Sequence, residues 1–280
     1  MRDIIIISME LISGKHIKIH MQNNFFLHVV TMVLEHFDKP EYNKYLFILG
    51  SCSDHPAKNF KYELPDHKVV VYQFEQLMGL FTWKDVNDII DNISSADEIW
   101  DYDYLNAAYL KERSVNVSRI IPLLYSSNLK RIKQKEHPEI DVLFYGYMNE
   151  RRFNIFKNLQ IKLYGRASIV WVYGDSELDK YISNCKTVLN LHAAEPWNRQ
   201  EQVRLFYPVI NGITCISESS QINNMPGEII ETSADALHET IIDVCYSDKW
   251  KTFGANASEK FKQRTKEYLN KNFGTTDFNF

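Results

Sequence analysis

The sequence predicts an α/β protein built as two Rossmann-like parallel-sheet domains facing each other across a cleft. Three observations predict it: short apolar runs alternate with amphipathic stretches, a polar basic connection spans Ser126 to Pro138, and a fresh apolar run follows that connection at once. The length agrees, since 280 residues suffice for two domains of roughly 100–150 residues each.

Taken in order, Asp3–Ser8 reads as a buried strand, and a polar loop is expected from Ile12 to Asn24. Phe26, Val29, Val30, Val33, Leu34 and Phe37 then recur at helical spacing and define one apolar face. Lys44–Gly50 and Lys68–Gln73 carry continuous apolar runs of strand length, the pattern of strands covered on both faces. Helices are expected near Trp83–Asn92 and over Tyr104–Glu112, with short strands at Glu98–Trp100 and Ser118–Leu124. Beyond the connection, Ile140–Tyr145 opens the second domain, followed by a charged helix at Asn149–Leu159 and a strand at Gln160–Tyr164. Ser176–Ser183 is expected as helix, Thr187–Leu191 as strand, Gln200–Asn211 as a helix closed by Gly212, and Ile213–Ser217 as the next strand. From Ala234 the chain reads as helical, with Gly254 as an interruption and a basic last helix. These readings place the first domain at residues 1–127, the connection at 128–138, the second domain at 139–250 and a helical tail at 251–280.

Composition narrows the function classes. At 45% hydrophobic and 24% charged the chain is neither disordered nor fibrous. Its 32 Lys+Arg against 36 Asp+Glu give a formal charge of −4, so no global basic field favours a nucleic-acid partner. Cys52, Cys185, Cys215 and Cys245 lie far apart without metal-ligand spacing, as expected of reduced, buried thiols. The apolar run Ile4–Ile7 is too short for a secretion signal, and no stretch reaches the roughly 18 apolar residues of a membrane span. A cytoplasmic location is expected. No G-x-G-x-x-G, Walker or G-x-S-x-G motif is present, which removes the main support for dehydrogenase, NTPase and α/β-hydrolase readings.

Polar groups concentrate at strand ends. Gly146 follows an apolar strand and precedes Arg151 and Arg152 at a helix start, a pattern that suits a diphosphate; a simple turn with solvated arginines is the plain alternative. Asn190 and His192 end another strand, and Glu201 and Arg204, three apart on the next helix, can hold ribose or phosphate, or merely pair with each other. Ser217 and Glu218 close the following strand. In the first domain, Gln73, Glu75 and Gln76 end a strand with a carboxylate and two amides, and Glu75 can serve as a general base or position a substrate. Asp101 and Asp103 form a D-x-D that can hold a divalent ion on a diphosphate. His16, His20 and Asp54 are isolated polar residues on other loops.

Four segments together resemble the two-domain (GT-B) glycosyltransferases, in particular a group of bacterial and viral glycosyltransferase-like proteins. Tyr72–Leu77 (YQFEQL) is similar to the group's Q-x-E-Q-L, and Ile99–Leu124 to its V-W-D-Y-S, Asn-initiated helix and strand ending in Pro-Leu. DVLFYGYMNERR, from Asp141 to Arg152, resembles D-V-L-F-Y-G-x-x-N-x-R-R; Lys186–Glu218 resembles K-x-V-L-N-x-H-x-x-E, E-Q-V-R and V-I-S-E. Asp103 and Ala193-Ala194 depart from the pattern, the latter altering the expected shape of a sugar pocket. The resemblance implies transfer of a sugar from a nucleotide-sugar co-substrate to a hydroxyl of a saccharide-type acceptor, with no required cofactor and no metal. It implies that Gly146, Arg151 and Arg152 face the donor diphosphate, that Glu201 and Arg204 hold its nucleoside or phosphate part, and that Asn190 and His192 lie beside the sugar. Gln73, Glu75 and Gln76 would stand on the acceptor side. Three alternatives remain open: a non-catalytic nucleotide- or glycan-binding module, a metal-dependent transferase using Asp101 and Asp103, and a DNA-base glycosyltransferase touching phosphates through Lys130–Lys135 and the last helix.

Overall fold

The computed structural model describes residues 11–21, 26–50, 56–77, 86–173, 177–193 and 200–274. The chain divides into two compact units, Met1–Pro122 and Leu123–Phe280. The expected strand at Asp3–Ser8 lies outside the described residues.

In the first unit the order is β1 (Leu11–Ser13), β2 (Ile17–Met21), α1 (Leu27–Phe37), β3 (Tyr45–Leu49), α2 (Ala57–Glu63), β4 (Lys68–Gln73), α3 (Val86–Ser94), β5 (Glu98–Asp101), α4 (Tyr104–Lys111) and β6 (Arg119–Ile120). The strands lie side by side in chain order, β1 antiparallel to β2 and every later pair parallel. Leu46, Ile48, Val69 and Val71 are fully buried and pack with Phe60, Ile89, Ile93 and Leu110, as continuous apolar strands covered on both faces require.

Two expectations change here, and one helix is added. Ile12–Asn24 is not a polar loop through its described part: it folds into β1 and β2, because Ile17 and Ile19 alternate into the core and Asp38 pins the turn. The Asp38 carboxylate accepts from the amides of Lys15, His16 and Ile17 at 2.7, 2.6 and 3.2 Å. The strand expected at Ser118–Leu124 shrinks to Arg119–Ile120, since Pro122 has no N–H to continue the ladder. Helix α2, which buries only Ala57 and Phe60, has too faint an apolar stripe to be read from sequence.

The second unit runs β7 (Ile140–Tyr145), α5 (Glu150–Lys162), β8 (Ile169–Val172), α6 (Leu178–Ser183), β9 (Cys185–Asn190), α7 (Gln202–Ile210), β10 (Thr214–Glu218), β11 (Ile230–Thr232), α8 (Leu237–Cys245) and α9 (Lys249–Phe273). Its sheet is all parallel in the order β11-β10-β9-β7-β8. The chain therefore passes from β7 to one side, returns, and continues on the other, so the gap between β7 and β9 is the topological switch point. Ligands bind such sheets outside the carboxyl ends of the strands at this point.

Gln160–Tyr164 is not a strand. It ends α5, which continues because Phe156, Leu159 and Leu163 all enter the core while Ile161 and Tyr164 stay exposed. Gly254 does not interrupt α9 either. A Cβ there would clash with the Gly212 carbonyl oxygen, so the missing side chain lets the helix lie close on the chain entering β10. With Trp250, Ala257, Phe261 and Leu269 buried, α9 belongs to the body of the unit. So does the segment expected as a connection: Leu129 is buried, and the Arg131 and Ile132 amides both donate to Asn211 Oδ1, at 2.9 and 2.8 Å.

Candidate functional site

A cluster of charged groups lies at the carboxyl end of the second sheet, around the switch point. Strand β7 ends at Tyr145, and Gly146 turns the chain with φ +117°, a conformation that favours glycine. A Cβ at this position would stand 3.0 Å from the Arg204 guanidinium, a tight contact that glycine avoids. Asn149 caps α5: its Oδ1 accepts from the Arg152 amide at 2.9 Å, and its Nδ2 donates to the Ala193 carbonyl at 2.6 Å. The cap fixes the helix start beside the chain leaving β9.

Arg151 and Arg152 leave that first turn toward different partners. Arg152 is 4% exposed and donates to the Leu191 carbonyl at 3.0 Å, the Tyr147 carbonyl at 2.9 Å and Glu201 Oε1 at 2.6 Å. It braces β7, β9 and α7 against one another rather than standing open to a ligand. Arg151 grips Glu218 with both terminal nitrogens, at 2.9 and 2.7 Å, and also donates to the His192 carbonyl at 3.0 Å. The same Glu218 accepts from the His192 amide at 2.6 Å.

On α7, Arg204 donates to Asn190 Oδ1 at 2.7 Å and lies 3.7 Å from Glu201. Asn190 in turn donates to Ser217 Oγ at 3.0 Å, whose hydroxyl donates to the Glu218 carbonyl at 2.8 Å. The Tyr145 hydroxyl donates to the Arg204 carbonyl and holds α7 onto β7. Arg151, Arg152, Asn190, His192, Glu201, Arg204, Ser217 and Glu218 thus form one connected network, with Gly146 beside Arg204.

Burial alone would raise the Glu201 carboxyl, but Arg204 and Arg152 outweigh it and hold it below the ordinary carboxylate value. Burial lowers Arg152 to about 10, with Glu201 opposing the shift, so the guanidinium stays charged at neutral pH. Three arginines facing two carboxylates leave this network with an excess positive charge, the electrostatics of an anion site.

In the first unit, Gln73 is fully buried and bonds main chain: its Nε2 donates to the Glu75 carbonyl at 2.8 Å and its Oε1 accepts from the Glu75 amide at 2.6 Å. Gln76 follows in the same loop. Asp101 Oδ1 accepts from the Asp103 amide at 2.8 Å, and Asp103 caps α4 by accepting from Leu105 and Asn106 amides at 2.7 and 3.4 Å. These carboxylates form a turn and a cap. Among the described residues no group of three or more His, Cys, Asp or Glu is placed to hold a metal. His20 packs on Phe60 at 4.7 Å between ring centroids, and Asp54 lies outside the described residues. Sequence reasoning passed over Asn149, although an Asn directly before a helix with Glu150 in its first turn is a readable capping signal. It also passed over Tyr145, Gln202 and Ser220.

No described helix is long and apolar enough to cross a membrane. No family model and no curated protein matches the chain. Among solved structures it is similar to TarM, with a TM-score of 0.58 at 10% identity over 81% of this chain and 53% of that one. It is similar to Anabaena Alr3699/HepE in complex with UDP and glucose, with a TM-score of 0.52 at 10% identity over 87% and 80%. A variant of S. aureus TarM in complex with Fondaparinux, alpha-GlcNAc-glycerol and UDP gives 0.51 at 10% identity over 91% and 57%. The chain spans about half the length of TarM. At such identities the likeness is one of fold, and the fold is the expected α/β class with two parallel-sheet units.

Proposed function

We propose that the protein is a glycosyltransferase that moves a sugar from a nucleotide-sugar donor to a hydroxyl of a saccharide-type acceptor. The observation that carries this reading is the arginine cluster of the second unit, set at a sheet switch point and beside the capped start of α5. A departing nucleoside diphosphate needs its growing charge stabilised as the bond to the anomeric carbon breaks, and fixed guanidinium groups and helix amides do this without reorganising. Arg151 and Arg204 are the donors to the diphosphate in this reading, and Gly146 lets the phosphates approach the backbone. Arg152 keeps them in place. Glu201 accepts from ribose, Ser217 and Glu218 orient the cluster, and Asn190 and His192 lie beside the sugar.

Glu75, whose main chain is fixed by Gln73 and Asn106, is the acceptor-side base or positioning group, with Gln76 beside it. The arginines and the helix start take the part a divalent ion would play, so the reaction is metal-independent and needs no other cofactor. UDP in complexes of HepE and of the TarM variant supports the choice of donor class. The buried free thiols Cys185, Cys215 and Cys245 suit a reducing compartment, and we place the protein in the cytoplasm, where nucleotide sugars are available as substrates.

A thermal-shift screen against UDP-, GDP-, CMP- and dTDP-sugars tests this directly, because a ligand at 100 times its dissociation constant adds roughly 2.7 kcal/mol of stability. Arg204→Ala or Glu201→Ala should weaken the nucleotide that binds by about 1–3 kcal/mol, the range for lost charge-assisted hydrogen bonds. Equal titrations for wild type and both variants would remove the assignment. Binding without hydrolysis or transfer of any donor would make the chain a binding module on the same scaffold.

A further inference from the structure

Three buried polar atoms beside the arginine cluster have no hydrogen-bond partner among the described residues: His192 Nδ1, Gln202 Nε2 and Ser220 Oγ. They belong to segments that are tied together. His192 Nε2 lies 3.2 Å from the Ser219 carbonyl, and the Ser220 amide donates to Glu231 at 3.1 Å. Glu231 also accepts from Gln200 Nε2 at 2.9 Å, and the Gln200 carbonyl accepts from the Gln202 amide at 2.9 Å. His192 and Gln202 are each 3% exposed. Buried polar atoms are paired in nearly all folded proteins, so three orphans on segments bonded to one another mark a place suited to binding a polar group.

Their chemistry limits what that group is. A carbonyl only accepts, so His192 Nε2 carries the proton toward Ser219, and in the neutral ring Nδ1 is left as an acceptor. Gln202 Nε2 only donates, and Ser220 Oγ does both. A phosphate or carboxylate would satisfy Gln202 and Ser220 but has no proton for His192 Nδ1. Hydroxyl groups satisfy all three.

We infer that His192 Nδ1, Gln202 Nε2 and Ser220 Oγ form the subsite that reads hydroxyls on the transferred sugar. This rests on the nucleotide-sugar reading and adds Gln202 and Ser220 as residues that set sugar preference, separate from the arginines that hold the diphosphate.

Calorimetric titration of wild type, Gln202→Met and Ser220→Ala with UDP, UDP-glucose, UDP-galactose and UDP-N-acetylglucosamine tests it, with circular dichroism melts to establish that each variant is folded. The expected result is UDP affinity within about twofold of wild type, while affinity for the best UDP-sugar falls about three- to tenfold, the range for one neutral hydrogen bond. Equal losses for UDP and UDP-sugars, or no loss for either, overturn the inference and leave the nucleotide reading standing. Wild type that binds none of these ligands overturns the UDP reading itself and this inference with it.

Discussion

The carboxyl ends of the two sheets carry polar networks that differ in their balance of partners. In the first unit, the side chains of Gln73, Asn106, Asp101 and Asp103 bond main chain at Glu75, Leu77, Asp103 and the start of α4, and Asn106 also donates to Asp101. In the second, Arg151 meets Glu218, Arg152 meets Glu201 and Arg204 meets Asn190, side chain to side chain. Bonds to the backbone fix a loop and cannot be given up without unfolding it. A charged pair between side chains can trade one partner for an incoming anion at small net cost, because one charge-assisted bond replaces another. The first network is built to hold shape, and the second to hold charge.

Within the second network Arg152 bonds two carbonyls as well as Glu201, and it makes the largest test of the contrast. Arg152→Leu removes the donor to two carbonyls and leaves Glu201 partly buried without its nearest cation. Breaking a buried pair in this way should cost about 3–5 kcal/mol in urea unfolding. A loss below about 1 kcal/mol would show that Arg152 is as replaceable as a surface arginine.

In the first unit, Asn106→Leu is the matching experiment. Asn106 Nδ2 donates to the Glu75 carbonyl at 2.7 Å and its Oδ1 accepts from the Leu77 amide at 3.1 Å. Orphaning these groups should destabilise by about 1–3 kcal/mol while leaving nucleotide affinity unchanged. If nucleotide affinity fell instead, the division of labour between the units would be wrong.

Asp103→Ala is smaller still. Loss of the α4 cap should cost about 1 kcal/mol by thermal unfolding, and a chelator should leave sugar transfer unchanged. Turnover abolished by chelator would restore the D-x-D as a metal site.

How legible these networks were depends on the length scale of the signal. Strands β4 and β7 match their expected bounds because continuous runs such as Val69-Val70-Val71 and Val142-Leu143-Phe144 leave no alternative period. The extent of α5 was not legible, since Ile161 and Tyr164 add apolar character on an exposed face and mimic a strand. The residues of the second network were legible as positions at strand ends and the helix starts that follow them, because a parallel sheet presents that edge to ligands whatever the chemistry. Their partners were not: the choice of Arg152 as brace and Arg151 as grip for Glu218 depends on side chains of neighbouring residues leaving one helical turn in different directions. The orphaned atoms of Gln202 and Ser220 carry no sequence signal, because burial without a partner is a property of packing alone.

The finest test compares acid titration in the two units. Burial would raise both Glu201 and Glu98, but Arg204 and Arg152 in the second unit, and Lys68 with the Trp100 indole in the first, pull each carboxyl below its ordinary value near 4.5. A carboxyl lowered in the folded state stabilises the fold above its unfolded value, and that contribution disappears as pH falls through the lower, folded value. Unfolding free energy measured from pH 6 down to about 3 should therefore decline, and Glu201→Gln or Glu98→Gln should each flatten the decline below about pH 4.5. The flattening should be greater for Glu201, since its partner Arg152 is 4% exposed whereas Lys68 is 40% exposed and screened by solvent. Equal slopes for the two variants would mean that the arginine cluster stores no more charge energy than an ordinary edge pair, and that its arrangement serves shape after all.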